Sequence, residues 1–368
     1  MNINLSKKII ISLYFESLNK FTSVNYRFGF FRAAYVVIRA LISRQSLLFD
    51  FKWAGLNDKS ICVVFFKNEL NAAIKNKKNV GIDDIIEINI NKLNFLVVEL
   101  GLVKVLRELL FFYKVSIQTK GWGIINKSSY PALGWILYIF FKNKFDENNL
   151  FRLVSFNLVH PSSLGVAWAA YAADLKLDYC EHASTTELML SNVGIYNNYY
   201  VEYRHTQLML SNYGIKMDSV FLLRDINIKY IWPPLGVVRV IGICINDLDS
   251  IAAIEIACRS LQNFDCSVVL RVHDADRRFL YFKDFSIKNN FKIESARNST
   301  IEEFLGEIDL LIAGNSNVVG DALNASKPVI YFWTGESELF DYYGFVKFYN
   351  LKHAANLISL SEILSEIQ

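Results

Sequence analysis

The sequence predicts an α/β protein of two Rossmann-like doubly wound domains. Three observations predict it: short apolar runs alternating with helical stretches, a chain too long for one core, and a double proline between two such alternations. The 368 residues exceed the roughly 250 to 300 at which a single hydrophobic core stops growing. Hydrophobic residues make up 52% of the chain and charged residues 20%, a balance that supplies core material and excludes extensive disorder. Strand and helix in alternation are the pattern of a parallel sheet covered on both faces. The segment Trp232-Pro233-Pro234-Leu235-Gly236 marks the boundary. It divides the chain into an amino-terminal domain, 1–235, a carboxyl-terminal domain, 236–350, and a terminal helical segment, 351–368.

The first fifty residues read as helices, with Arg32, Arg39 and Arg44 set among Phe31, Tyr35, Val36, Val37, Ile38 and Leu41. The plainer reading is an amphipathic helix packed on its own domain. The other is an element resting on an anionic membrane surface, guanidinium groups toward phosphate and aromatic rings toward the acyl boundary. Ser60 to Phe66, Phe95 to Glu99 and Arg152 to Asn157 read as buried strands, and Leu102 to Tyr113 and 163–175 as helices. The second of these helices opens on Pro161-Ser162-Ser163, a helix-start signal. An echo, Leu188 to Ile195 and Leu208 to Ile215, reads as two helices with Asn or Gly ends, one on each side of a strand Tyr199 to Tyr203. In the carboxyl half, strands are expected at Val237 to Ile245, Cys266 to Val272, Lys292 to Glu294, Asp309 to Ala313 and Pro328 to Trp333. Helices are expected at 249–262, 276–288, 300–307, 317–325 and Leu357 to Ile367.

The net charge of +3 conceals an asymmetry. Residues 1–150 carry 21 Lys and Arg against 11 Asp and Glu, and residues 151–368 carry 18 against 25. A basic half attracts phosphates of a lipid surface or an acidic glycan. Five cysteines stand in apolar surroundings with no zinc-type spacing, so reduced core thiols in a cytoplasmic protein are expected. No apolar run reaches the roughly 18 to 20 residues of a membrane span, and no cleavage pattern of a signal peptide follows the start. A cytoplasmic protein, peripheral at the inner membrane through its basic half, is the expectation.

The stretch Ser299 to Trp333 carries the most chemistry. A strand, Asp309 to Ala313, breaks at Gly314-Asn315-Ser316, and a new helix begins with unpaired backbone N–H groups, where a phosphate fits. Gly314 permits close backbone approach, Asn315 and Ser316 can cap the helix or donate to an anion, and Asp321 can accept hydrogen bonds from ribose hydroxyls. A plain strand-turn-helix with a capping Asn or Ser has the same pattern. Arg271 and His273, two apart, share one side of the strand 266–272 and its end, where they can neutralise a leaving phosphate or pair with Asp274 or Asp276. His182 follows a buried strand beside Glu181. Either a packed core histidine or a general base oriented by a carboxylate fits that position. Asp247-Leu248-Asp249 and Asp274-Ala275-Asp276 match the short DxD pattern of metal-dependent transferases. Asp249 is better explained as a helix cap, and no metal and no cofactor are expected.

Asp309-Leu310-Leu311-Ile312-Ala313-Gly314-Asn315-Ser316, then Asp321-Ala322-Leu323 and Lys327-Pro328-Val329-Ile330, resembles the nucleotide-binding segment of GT-B glycosyltransferases. Asp321 stands where that family usually carries Glu. Tyr179-Cys180-Glu181-His182-Ala183-Ser184 is similar to the Gln-His-Gly segment of the branch that builds bacterial surface polysaccharides, including capsule and sialyltransferase-like enzymes. Leu270-Arg271-Val272-His273-Asp274 is similar to the same branch's Arg-x-His-Pro strand end, with Asp274 in place of Pro. The resemblance implies two Rossmann-like domains facing a cleft. It implies His182 or Glu181 as catalytic base, and Arg271, His273, Gly314, Asn315, Ser316 and Asp321 on the nucleotide. The implied partners are a nucleotide-activated sugar, CMP-linked and acidic by the Arg271/His273 likeness, and a lipopolysaccharide or capsule acceptor; nucleic acid is not among them. A nucleotide-sugar 2-epimerase of the same fold and a non-catalytic glycan- or lipid-binding protein are the alternatives.

Overall fold

A computed structural model of the chain describes residues 53, 55–88, 100–118, 130–158, 160–182, 194–223, 232–233, 238–245, 249–262, 264–273, 276–295, 298–333, 340–341 and 343–366. The basic opening, the strand expected at Phe95 to Glu99 and most of the first copy of the internal echo lie outside these residues. The chain divides into two compact units, Met1–Leu223 and Arg224–Gln368; the double proline follows the division.

The amino unit is built on six parallel strands: β1 (Ser60–Val64), β2 (Asp84–Glu87), β3 (Arg152–Ser155), β4 (Lys176–Cys180), β5 (Asn198–Val201) and β6 (Val220–Leu222), in the order β2-β1-β3-β4-β5-β6. All residues of β1 and β3 are buried, as strands covered on both faces must be. The helices are α1 (Lys67–Val80), α2 (Leu102–Gln118), α3 (Tyr130–Glu147), α4 (Pro161–Ala172) and α5 (Arg204–Asn212). Helix α1 ends on Gly81 in the left-handed region at φ 68°, its amide donating to the Lys77 carbonyl. Helices α3 and α4 cross on glycine: a β-carbon at Gly165 would stand 2.1 Å from the Gly134 carbonyl oxygen. At the opposite ends of the strands from the candidate site, the buried Arg152 pairs with the buried Asp178 at 2.9 Å and donates to the Val80 and Gly81 carbonyls.

The carboxyl unit has β7 (Val240–Ile245), α6 (Ile251–Leu261), β8 (Ser267–Val272), α7 (Phe279–Asn289), β9 (Lys292–Ser295), α8 (Ile301–Glu307), β10 (Leu310–Ala313), α9 (Val318–Asn324), β11 (Val329–Phe332), α10 (Phe345–Tyr349), β12 (Lys352–Ala354) and α11 (Leu357–Ser365). The sheet is parallel, in the order β12-β11-β10-β7-β8-β9. Five strands are expected from the sequence and six are present. Lys352-His353-Ala354 lacks an apolar run because it is a three-residue edge strand, and edges are commonly kept short and polar. Side chains alternate across β7: Ile241, Ile243 and Ile245 enter one core cluster and Cys244 the other. Thr300 and Glu303 close a capping box on α8, with the Glu303 amide donating to Thr300 Oγ1 at 3.1 Å and the Thr300 amide to Glu303 Oε2 at 2.7 Å.

Strand order locates the ligand edge of each sheet. In doubly wound sheets ligands bind outside the carboxyl ends of the strands where the order reverses. In the amino unit that point lies between β1 and β3, and in the carboxyl unit between β7 and β10.

Candidate functional site

At the carboxyl edge of the amino sheet, β1 ends at Val64 and α1 begins at Lys67, while β3 ends at Ser155 and α4 begins at Pro161. Glu69, in the first turn of α1, is buried. Its Oε2 accepts from the Phe65 amide at 2.8 Å and its Oε1 from Asn157 Nδ2 at 3.0 Å. Asn157 Oδ1 in turn accepts from the His160 amide at 2.8 Å. His160 is the N-cap of α4, its Nδ1 accepting from the Ser162 amide at 3.3 Å. Proline at the first helical position makes the residue before it the cap, a signal in the sequence that singles out His160. Burial lowers the His160 imidazole to about 4, so it is neutral near pH 7, and burial raises the Glu69 carboxyl.

His182 lies just beyond β4. Its imidazole is lowered from the ordinary histidine value, chiefly by burial, against the smaller opposing effects of a hydrogen bond to the Phe156 backbone carbonyl and the nearby Glu202 charge. Nδ1 is buried and has no hydrogen-bond partner among the described residues. Glu181, expected as orienter or base, is instead fully buried and bridges to the next βα unit. Its Oε1 accepts from Thr206 Oγ1 and its Oε2 from the Glu202 amide, both at 2.7 Å. It holds the start of α5.

At the carboxyl-unit switch point, β10 ends in Gly314-Asn315-Ser316. A β-carbon on Gly314 would stand 2.8 Å from the Phe332 carbonyl oxygen, 3.1 Å from the Trp333 ring and 3.5 Å from Asp249 Oδ1; only glycine fits that approach. Asn315 is buried, its Oδ1 accepting from the Tyr331 hydroxyl at 2.5 Å, and that hydroxyl accepts from the Asp341 amide at 3.0 Å. Asn315 therefore braces the turn. Ser316 is part-exposed and its Oγ accepts from the Val318 amide at 3.4 Å, while the N-cap itself is Asn317. Asp249 is buried beside Gly314, and its backbone carbonyl accepts from Arg278 at 2.6 Å. The cap of α6 is Ser250, so Asp249 is not the cap expected from its position before that helix. Cys244, under this turn, is pushed up to about 12 by burial first, with the Asp249 and Asp321 charges adding and Arg271 opposing. Both Asp249 and Asp321 thus lie near Cys244, and Asp249, read from the sequence as a helix cap, stands instead beside Gly314.

Arg271 and His273 part company. Arg271 lies 5.3 Å from the Phe304 ring, donates to Ser299 Oγ at 2.6 Å and to the Ser299 carbonyl at 2.8 Å, and pairs with Glu294 at 3.7 Å. It is buried under α8 and ties β8 to β9, so the expected pair on a leaving phosphate is reduced to His273, which is exposed past the strand end. Of the two DxD patterns, Asp247 and Asp274 lie outside the described residues, and Asp276 is bound bidentately by Arg278. Among the described residues no group of three or more His, Cys, Asp or Glu side chains is gathered as a metal site. Among the same residues no helix is long and apolar enough to cross a membrane.

No protein-family model and no curated protein matches the sequence. Solved structures do match in shape. A Listeria monocytogenes protein named for UDP-N-acetylglucosamine 2-epimerase shares 11% identity at a TM-score of 0.52, over 84% of this chain and 88% of that one. A second UDP-N-acetylglucosamine 2-epimerase shares 13% at 0.50, over 84% and 87%. The UDP-GlcNAc 2-epimerase of Neisseria meningitidis, solved bound to UDP-GlcNAc, shares 11% at 0.50, over 83% and 91%. The chain has the GT-B fold. In a doubly wound sheet the strand-order reversal is the expected ligand edge; Gly314 stands at the reversal of the carboxyl sheet, and His182 follows β4, the strand beside β3 at the same edge of the amino sheet.

Proposed function

We propose that this GT-B protein is a glycosyltransferase that moves a sugar from a nucleotide-activated donor to a hydroxyl of a glycan, with His182 as general base. The observation that carries the reading is the His182 imidazole just beyond β4, lowered by burial toward its neutral form, with Nδ1 lacking a hydrogen-bond partner among the described residues. That is the state required of a group that takes a proton from an attacking hydroxyl. The turn Gly314 to Ser316 receives the nucleotide phosphate on backbone amides, Asp321 receives the ribose hydroxyls, and His273 faces the leaving phosphate. Asn315 and Glu181 support the frame.

A CMP-activated acidic sugar was expected through Arg271 and His273. With Arg271 held by Glu294 and Ser299, the donor is better read as a nucleotide sugar whose base is set elsewhere. The likeness of residues 179–184 and 270–273 to surface-polysaccharide enzymes supports a lipopolysaccharide or capsule acceptor. The basic first 150 residues suit an acidic glycan or a peripheral membrane position.

The test couples a thermal-shift panel of CMP, CDP, UDP and GDP, in which a bound nucleotide raises apparent stability, with turnover of the nucleotide sugar so identified. His182→Ala is expected to lower turnover by about 10²- to 10⁴-fold while leaving the nucleotide shift in place. Unchanged turnover removes His182 as base, and no shift with any nucleotide favours the non-catalytic binding protein.

A 2-epimerase is the second reading, favoured by the names of the three structures at TM-scores of 0.50 to 0.52. Incubation with UDP-GlcNAc in D₂O, without an acceptor, separates the two: deuterium at C2 of the sugar identifies an epimerase.

A further inference from the structure

The turn that Gly314 opens is held by the neighbouring strand β11. Tyr331 pairs with Ala313 in the parallel register of β10 and β11, so the last residue of β10 before the turn lies beside it. Alternation along β11 sends Tyr331 and Phe332 to opposite faces of the sheet, and both act on the turn. Phe332 meets it with the carbonyl that crowds Gly314. Tyr331 meets it with its side chain: the hydroxyl donates to Asn315 Oδ1 at 2.5 Å and accepts from the Asp341 amide at 3.0 Å. A phenol has one proton to give. Here it goes to Asn315, while the oxygen takes the Asp341 N–H. Asp341 is fixed in turn. Its backbone is in the left-handed region at φ 52°, and its carboxylate accepts from the Val346 and Lys347 amides, both at 2.9 Å. Hydrogen bonds thus run from the start of α10 through Asp341 and Tyr331 to Asn315.

We propose that Tyr331 is a positioning residue of the nucleotide turn: held by the Asp341 amide, its hydroxyl fixes the Asn315 side chain and so the course of the backbone from Gly314 to Ser316 before a ligand arrives. The proposal rests on the reading of that turn as the phosphate contact. Backbone amides recognise a phosphate only where they converge on it, and convergence set in advance spares the ordering cost that binding would otherwise carry. Asn315 stands between the glycine that permits close approach and the serine whose Oγ is bonded to the Val318 amide. An anchor on its side chain therefore restrains the residue on either side. Tyr331 is fully buried and touches no substrate in this scheme; it acts through Asn315. Loss of the hydroxyl, with the ring left in the core, takes this partner from both the Asn315 oxygen and the Asp341 amide, and the turn then samples courses in which its amides no longer converge.

The experiment is calorimetric titration of the full chain with CMP, CDP, UDP and GDP, in the wild type, Tyr331→Phe, Asn315→Ala and the double variant. Tyr331→Phe is expected to bind the nucleotide preferred by the wild type about tenfold more weakly, and Asn315→Ala at least as weakly. Because the hydroxyl acts through Asn315, the double variant is expected to bind no worse than Asn315→Ala alone. A tyrosine that served only the core would lower the melting temperature and leave the affinity of the folded protein as it was. Wild-type affinity in folded Tyr331→Phe, or losses that multiply in the double variant, overturns the proposal. Should Tyr331→Phe fail to fold, Asp341→Gly accepts the left-handed backbone and removes both carboxylate bonds. It is expected to weaken binding about threefold, and unchanged binding overturns the proposal. The two readings fail separately: a wild type that binds none of the nucleotides removes the nucleotide turn and the proposal with it, whereas binding that Tyr331→Phe leaves intact removes the positioning role alone.

Discussion

The two parallel sheets use the same topological device and furnish it with different chemistry. In the amino unit the reversal between β1 and β3 is lined by Glu69, Asn157 and His160, with His182 bonded to the same turn from β4. These are buried or half-buried polar groups tied to one another and to backbone amides. In the carboxyl unit the reversal between β7 and β10 is lined by Gly314, with Asn315 braced on Tyr331 and the carboxylates of Asp249 and Asp321 nearby. There the backbone at Gly314 is buried against Phe332 and Trp333, and the charges are carboxylates. The comparison teaches that a fold supplies a place and not a reaction: one edge gathers buried polar side chains, the other a glycine packed closely beneath its neighbouring strand.

If the units are separate in stability as well as in chemistry, the largest effect will come from Arg152→Met. It leaves Asp178 buried without its cation, with only the Asn198 amide left among its described partners. Breaking a buried ion pair in this way costs about 3–5 kcal/mol. Hydrogen exchange resolved by peptide is expected to rise across β1, β3 and β4 while β7, β8 and β10 keep their protection; equal loss in both units breaks the comparison.

A smaller effect is expected from Gly314→Ala, whose methyl meets the Phe332 carbonyl at 2.8 Å. Overpacking of this kind costs about 1–3 kcal/mol. The loss should appear in the melting temperature and in the disappearance of the nucleotide shift, with hydrogen exchange in the amino unit unchanged. Retention of the nucleotide shift would move the phosphate away from this turn.

The smallest change is the response to mild acid. His160 is lowered to about 4 and His205 to about 3, both by burial, and His182 is lowered as well. The unfolded chain therefore binds more protons than the folded one below the ordinary histidine value of about 6.5. Stability of the amino unit falls as pH drops from about 6.5 toward 4 and levels off below the folded values. The raised Glu69 carboxyl works in the opposite sense near the bottom of that window, which trims the net effect. In the carboxyl unit, Asp276 and Glu294 are lowered, and their contribution is lost only below the ordinary carboxylate range. Urea titrations at pH 7 and pH 5, read by hydrogen exchange in each unit, should soften the amino unit first.

How far the sequence could be read depended on where the cause of each feature lay along the chain. Strands β7, β8, β10 and β11 are apolar runs bounded by turn residues and are legible as such. The strand β2, Asp-Ile-Ile-Glu, and the polar helix α1 are not, because their assignment depends on the sheet they join. At the site, Gly314 was singled out for close backbone approach, although what approaches it, Phe332, Trp333 and Asp249, is remote in sequence. The fate of Arg271 was half visible: alternation shows that it shares a face with His273, but not that Ser299, Glu294 and Phe304 close over that face. Glu181 looked like a partner for its neighbour His182, and its true partner, Thr206, is remote in sequence. The Asn157 bond to Glu69 was hidden for the same reason, since Glu69 belongs to another βα unit.

The crossing of α3 and α4 at Gly134 and Gly165 has a reach beyond packing. Helix α4 carries His160 at its cap and takes its departure from the turn that holds Phe156 and Asn157, so a methyl at 165 that pushes α4 from α3 shifts the whole imidazole edge. Among randomised variants selected for activity, position 165 should behave like a position in the reaction centre, purged of every residue but glycine although it meets no substrate. The tolerance map of this protein would then show a second, silent footprint of the reaction, written in a helix contact.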